Sequence, residues 1–299
     1  MEPVADTLVG AVPLQHRERP VGSMLFDLGQ LDVRWQAASG TLWTFMTPVD
    51  RPNFNRPMMR DFHRWQAEIK REFADPAEGL KYMVVGSRFP RVWNLGGDLD
   101  LFARFIEQGD RAGLVAYGRD CVAMLYRNLR QLDLPVVTIA LVQGDALGGG
   151  FEAVLSFNVI VAEKGSRFGL PEIAFGLFPG MGAHCLLSRK VGLTKAEEMM
   201  LSNRLYSAEE MHEMGIVHVL AEPGQGEETV RAYIARNGRR QAGHRGIYHA
   251  SGRVAPITLQ ELEDVVEIWA DSALRLTAGD LKLMKRLVEA QARLVPGQA

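Results

Sequence analysis

The sequence predicts an α/β fold with parallel strands at its centre and a helical C-terminal region. Three observations carry this. Short apolar runs at 82–85, 136–142, 159–162 and 217–220 alternate with longer segments whose apolar residues recur at helical spacing. Glycine clusters at 96–97 and 148–150 stand where a run hands over to a helix. The last ~40 residues carry helical periodicity alone.

Taken in order, residues 1–22 are mixed in composition and read as a loose lead-in. Thr41 to Met46 is rich in strand formers. Phe62, Trp65, Ile69 and Phe73 keep a helical period through 61–73. The strand at 82–85 is followed by a second short run at 91–95, which stops at Gly96-Gly97, and 98–107 opens a helix. A longer helix covers 113–132, with Val115, Val122, Leu125 and Leu129 on its apolar face, and Pro135 ends it. The unbroken run 136–142 fits a strand buried on both faces. A glycine-dense turn at 144–150 leads into a helix at 151–156, and then into the strand at 159–162. Thr194-x-x-Glu197 and Ser207-x-x-Glu210 read as capping boxes, the second helix ending at Gly215. Residues 223–253 are rich in glycine and arginine and show little periodicity. Thr258-x-x-Glu261 opens an amphipathic helix with the stripe Leu259, Leu262, Val266, Trp269, Ala273 and Leu276; Leu281, Met284 and Val288 mark a final helix. The organisation expected is a lead-in at 1–25, a core at 26–222 and a helical region at 223–299.

The bulk numbers narrow the function classes. With 299 residues, the chain can bury one large core. Hydrophobic residues make up 47% and charged residues 23%, an ordinary globular balance. A net charge of −2 gives no pull toward nucleic acid or an anionic membrane. Cys121 and Cys185 make no disulfide framework and fit a reducing compartment. The first residues carry Glu2 and Asp6 without a long apolar run, unlike a signal peptide, and no stretch reaches the ~18 apolar residues of a membrane helix. A cytoplasmic protein is expected. The histidines lack partners at metal spacing, so no metal is expected either.

Three segments carry candidate chemistry: Asn94-Leu-Gly-Gly-Asp-Leu99, Gly144-Asp-Ala-Leu-Gly-Gly-Gly-Phe-Glu-Ala153, and Phe168-Gly-Leu-Pro-Glu-Ile173 with Phe178-Pro-Gly-Met-Gly182 beyond it. Glycine at a strand-to-helix turn lets a ligand approach the amides, and the first N–H groups of a helix favour negative charge. Two such N–H groups meeting on one oxygen would form an oxyanion hole; plain tight turns would use the same glycines. Glu152 and Glu172 sit among apolar neighbours, where a carboxyl acquires a raised pKa suited to proton transfer; structural ion pairs would use them equally well. The glycine spacings match neither a dinucleotide fingerprint nor a phosphate-binding loop.

Together these segments resemble the crotonase (enoyl-CoA hydratase/isomerase) superfamily, from about residue 82 to 220. The resemblance implies a ββα superhelical core with a C-terminal trimerisation region. It maps the two oxyanion-hole amides onto Gly97 and Gly149, and the acid/base pair onto Glu152 and Glu172. Asn94 to Phe102, Ala140 to Ala153, Gly176 to Ala183, Leu205 to Glu209 and Glu267 to Ala273 are similar to the bacterial diffusible-signal-factor synthases. CoA hydratases usually carry Gly-Gly-Thr-Gln-Arg-Leu after the proline-glycine, where this chain has Gly182-Ala-His-Cys-Leu-Leu187.

The closer resemblance implies dehydration of a 3-hydroxyacyl chain on acyl carrier protein to a cis-2-enoyl thioester, with thioester hydrolysis and no cofactor. By that analogy Glu172 acts at C2 and Glu152 at the 3-hydroxyl. Leu147, Met181 and Trp269 map to acyl-pocket positions, with Phe151, Phe175 and Phe178 as further candidates; ordinary core packing would use all six. Arg236, Arg239, Arg240, His244 and Arg245 would suit the acidic carrier protein as well as they suit a solvated loop. A homotrimer or hexamer is implied, with a sensor histidine kinase as a further partner. Two other readings stand: a CoA-dependent hydratase, isomerase or hydrolase on the same fold, and a regulatory protein that sequesters a sensor kinase.

Overall fold

The computed structural model describes residues 24–294. The lead-in expected at 1–25 lies outside the described residues, except for Met24 and the buried Leu25 in a 3-10 turn. An antiparallel hairpin, β1 (Leu31–Gln36) and β2 (Thr41–Met46), precedes α1 (Arg56–Glu72). The side chain of Asn55 caps α1 by accepting the Met58 N–H, and Pro57 fits the donor-free first turn.

Three turns of a ββα spiral follow. The first holds β3 (Tyr82–Ser87), β4 (Val92–Asn94), α2 (Leu99–Glu107) and α3 (Arg111–Leu129). The second holds β5 (Val137–Val142), β6 (Asp145–Leu147) and α4 (Gly149–Leu155). The third holds β7 (Val159–Glu163), β8 (Arg167–Gly169), a 3-10 turn at Pro171–Phe175, α5 (Ala183–Val191) and α6 (Leu193–Leu201). The chain then adds β9 (Leu205–Ser207), α7 (Ala208–Glu213) and β10 (Val219–Ala221). The first strand of each turn enters a six-stranded sheet ordered β1-β2-β3-β5-β7-β10, parallel from β2 onward. The second strand enters a four-stranded sheet ordered β4-β6-β8-β9.

The large sheet is buried on both faces, which explains its unbroken apolar runs. Val84, Ile139 and Val161 point to one side, under Val230 and Ile234 of α8 (Gly226–Asn237). Met83, Ala140 and Ile160 point to the other, toward the main core. After α8 come a 3-10 turn, α9 (Gln241–Val254), α10 (Leu259–Ala273) and α11 (Ala278–Ala292). Leu262, Val266 and Trp269 of α10 are buried, each removal from water contributing roughly 1.5–3 kcal/mol. No helix of the described residues is long and apolar enough to cross a membrane.

Several expectations need correction. The basic stretch 236–245, which also suited a solvated loop, is helical at the end of α8, in the 3-10 turn and at the start of α9. Arginine and glycine dilute its signal, and only Val230 and Ile234 mark a buried face on α8; α9 buries no residue. Thr194 does not cap α6, because Gly192 at φ +83° does, while Ser207 makes the full capping box expected on α7. The strand β1 went unread because Asp32, Arg34 and Gln36 alternate with its buried Leu31, Val33 and Trp35.

Candidate active site

All three chemical motifs follow C-terminal ends of parallel strands in the small sheet, β4, β6 and β8. Open strand ends of this kind leave a crevice for a ligand. At the end of β4, the Asn94 side chain accepts the Gly96 N–H at 2.7 Å, and the Gly96 carbonyl accepts the Phe54 N–H at 2.8 Å. Gly96 has φ +91°, and a Cβ on it would stand 2.7 Å from the Gly149 nitrogen. Gly148 turns with φ +51° and donates its N–H to Gly169, so that Gly149 opens α4. A Cβ on Gly149 would stand 3.5 Å from the Gly97 nitrogen and would overlap the Met181 sulfur. The two peptides therefore meet across a gap that only missing side chains keep open. Neither the Gly97 nor the Gly149 N–H has an acceptor among the described residues.

Glu152 lies in the first turn of α4 and is 1% exposed. Its Oε1 accepts N–H groups from Met181 and Ala183, each at 2.8 Å. Burial pushes its pKa up, and these two donors oppose the rise by stabilising the anion. Glu172 follows Pro171 in the 3-10 turn, and its Oε1 stands 2.5 Å from where a Cβ on Gly148 would be. Its Oε2 is out of contact with solvent and has no partner. Burial pushes this carboxyl up as well, and the charge of Glu152 pushes it further. The two N–H groups from neighbouring segments favour the negative charge on Glu152 over Glu172.

Both carboxyls, together with Gly97 and Gly149, line one cavity of about 1070 Å³. Leu147, Met181, Trp269 and Phe175 line it too. Phe151 does not: it packs in the core against Phe168, ring centroids 5.5 Å apart. Phe178 does not either, and borders a separate surface hollow beside His184. Sequence reasoning missed Phe102 and Tyr117, which look like plain helix-core residues, Leu287 and Gln291 on a second stripe of α11, and Leu294 just beyond that helix. It also missed Arg91, at φ +59° and on the cavity wall.

The basic stretch lies elsewhere. Gln241, at the start of α9, donates to the carbonyls of Lys81 and Pro135, just before β3 and β5. Those are the N-terminal strand ends, opposite to the ends that build the site. Among the described residues no cluster of three or more His, Cys, Asp or Glu side chains could hold a metal ion.

A sequence model described as enoyl-CoA hydratase/isomerase matches residues 75–239, more than half of the chain. The chain belongs to the enoyl-CoA hydratase/isomerase family. Among curated members of this crotonase superfamily, it is 36% identical to a short-chain-enoyl-CoA hydratase of Clostridium acetobutylicum over 36% of this chain and 40% of that one. It is 36% identical to the peroxisomal fatty acid beta-oxidation multifunctional protein AIM1 of Arabidopsis thaliana, over 46% of this chain and 18% of that protein. The chain thus spans less than half the length of these relatives. Among solved structures, the crotonase fold is shared with Pseudomonas aeruginosa DspI at a TM-score of 0.66 and 22% identity, covering 89% of this chain and 97% of that one. A putative enoyl-CoA hydratase from Streptomyces avermitilis gives a TM-score of 0.71 at 20% identity, covering 90% and 93%. These two likenesses show the fold.

Proposed function

We propose that this crotonase removes water from a 3-hydroxyacyl chain carried as a thioester on acyl carrier protein, and then hydrolyses the thioester to release a cis-2-unsaturated fatty-acid signal. The observation that carries the chemistry is the meeting of the buried Glu152, the half-buried Glu172 and two unpartnered backbone amides in one apolar-lined cavity. The choice of carrier and product rests on the resemblance of the motifs to the signal synthases.

Loss of the C2 proton makes an enolate whose oxygen the Gly97 and Gly149 N–H groups would hold. Glu172 would take that proton while Glu152 protonates the departing 3-hydroxyl, and water leaves. Leu147, Met181, Trp269 and Phe175 would line the acyl chain, and Arg91 would face the phosphate of the carrier's prosthetic arm. Hydrolysis would reuse the same amides, with a glutamate activating water. No cofactor beyond the thioester carrier is required. A homotrimer or hexamer, and a sensor histidine kinase as partner, belong to this reading on the resemblance alone.

One observation favours a second reading. The two N–H donors on the Glu152 Oε1 favour the charge there over Glu172, and a charged Glu152 beside a protonated Glu172 is the state in which dehydration ends and hydration begins. For dehydration the proton must return to Glu152 before each turnover. An enzyme adding water to a 2-enoyl-CoA would start from that state. Mass spectrometry of products from a panel of 3-hydroxyacyl thioesters, on acyl carrier protein and on CoA, separates the two. Free cis-2-enoic acid from the carrier-protein arm is expected. Turnover confined to CoA thioesters, without free acid, selects the hydratase.

A further inference from the structure

We propose that Tyr117 is a positioning residue that aims the Gly97 amide into the cavity. The inference rests on the oxyanion-hole reading above and adds to it the part that sets the hole's geometry.

Gly97 is held on both sides. Upstream, Leu95 donates to Pro52 and Phe54 donates to the Gly96 carbonyl, each at 2.8 Å. Downstream, the hydroxyl of Tyr117 stands between the chain after Gly97 and the segment beside it. It accepts the Asp98 N–H at 3.2 Å and donates to the Phe54 carbonyl at 2.5 Å. Phe54 and Gly97 pair as a parallel bridge, so the hydroxyl ties the two strands of that bridge one residue beyond the reactive amide. Below, the Phe102 ring leaves no room for a Cβ on Gly97, and that ring packs edge-on against Tyr117, centroids 4.9 Å apart.

Tyr117 is 5% exposed and projects from α3, a helix long enough to act as a rigid base. Its ring helps to line the cavity; one hydrogen bond of its hydroxyl goes to the peptide after Gly97 and the other to Phe54, whose N–H holds the Gly96 carbonyl. The Gly97 N–H belongs to the peptide between Gly96 and Gly97, whose carbonyl the Phe54 N–H holds. Replacing the Tyr117 hydroxyl with hydrogen loosens both the peptide that follows Gly97 and the Phe54 segment that holds the peptide before it. The Gly97 N–H would then leave the position of the developing charge without any change in the glutamates. A donor misaligned in an oxyanion hole polarises the bound carbonyl less and stabilises the transition state less, while the many contacts of the acyl chain keep the ligand's affinity nearly unchanged.

The test uses the full chain with Tyr117→Phe and an acyl ligand whose thioester sulfur is replaced by methylene and whose carbonyl carbon is 13C. In wild type, isotope-edited infrared spectroscopy should show the bound carbonyl stretch moved to lower frequency. Tyr117→Phe should lose most of that shift while the ligand's Kd stays within about twofold, and kcat should fall ~10- to 100-fold with KM little changed. An equal shift in both proteins overturns the role of Tyr117. No shift in wild type overturns the oxyanion hole itself. Should Tyr117→Phe fail to fold, 3-fluorotyrosine placed at 117 keeps the ring and alters the hydroxyl; it should move the carbonyl frequency, and an unchanged frequency overturns the proposal.

Discussion

At Glu152, one carboxylate oxygen takes two backbone N–H groups, while at Glu172 a carboxylate oxygen takes none and is sealed from water. The contrast sets a pH dependence. Both carboxyls have a folded pKa raised by burial above the ordinary value. Between the ordinary and the raised value, the folded chain holds protons that the unfolded chain has released. Stability therefore falls as pH rises through that window and levels off above it. Glu172→Gln removes one such group, so its urea midpoint should gain on the parent's between pH 4 and pH 9. Parallel curves would refute the raised pKa. Close backbone approach gives a second prediction. A Cβ on Gly150 would overlap the Asn94 carbonyl, with backbone on both sides. Gly150→Ala should destabilise the fold by roughly 1–3 kcal/mol or more in thermal melts. The candidate residues stand out in the sequence because they combine glycine at a turn with carboxyls in an apolar setting. Tyr117 and Gln291 carry no such mark, because tyrosine or glutamine at helical spacing looks the same whether or not it faces a cavity.

Among the elements, the α3–α10 crossing is closed by a glycine. A Cβ on Gly118 would stand 2.5 Å from a Val266 methyl, so the helices meet closely there. Gly118→Ala should cost roughly 1–3 kcal/mol, and less in a Val266→Ala background, where the methyl groups are gone. Denaturant melts of the four proteins in that cycle check it, and strictly additive costs would show that the two residues do not compete for space. Elements with an unbroken apolar run or a clean stripe, such as β5 and α10, were legible because burial fixes their composition. By contrast β1 alternates with charged residues, and α9 buries nothing, so neither leaves a strong pattern. Phe151 shows the same limit for side chains: it stands next to Glu152 in sequence, yet the turn of α4 points it at Phe168 and away from the cavity.

For the whole molecule, the cavity joins the spiral core to the C-terminal helices. The spiral supplies the glycines and both glutamates, α10 supplies Trp269, and α11 supplies Leu287 and Gln291. Lys285 of α11 pairs with Glu107 of α2 at 2.6 Å, on the helix that begins beside Gly97. The candidate glutamates and glycines are thus enclosed by segments far apart in sequence. The shared use of Glu152 and Glu172 is tested most directly by C2 proton exchange. A 3-hydroxyacyl thioester carrying deuterium at C2 should lose its label with the wild-type chain in ordinary water. Glu152→Gln and Glu172→Gln should each slow that loss by about 10²- to 10⁴-fold while their thermal melts stay cooperative. Exchange within about twofold of wild type in either folded variant would contradict the two-glutamate site.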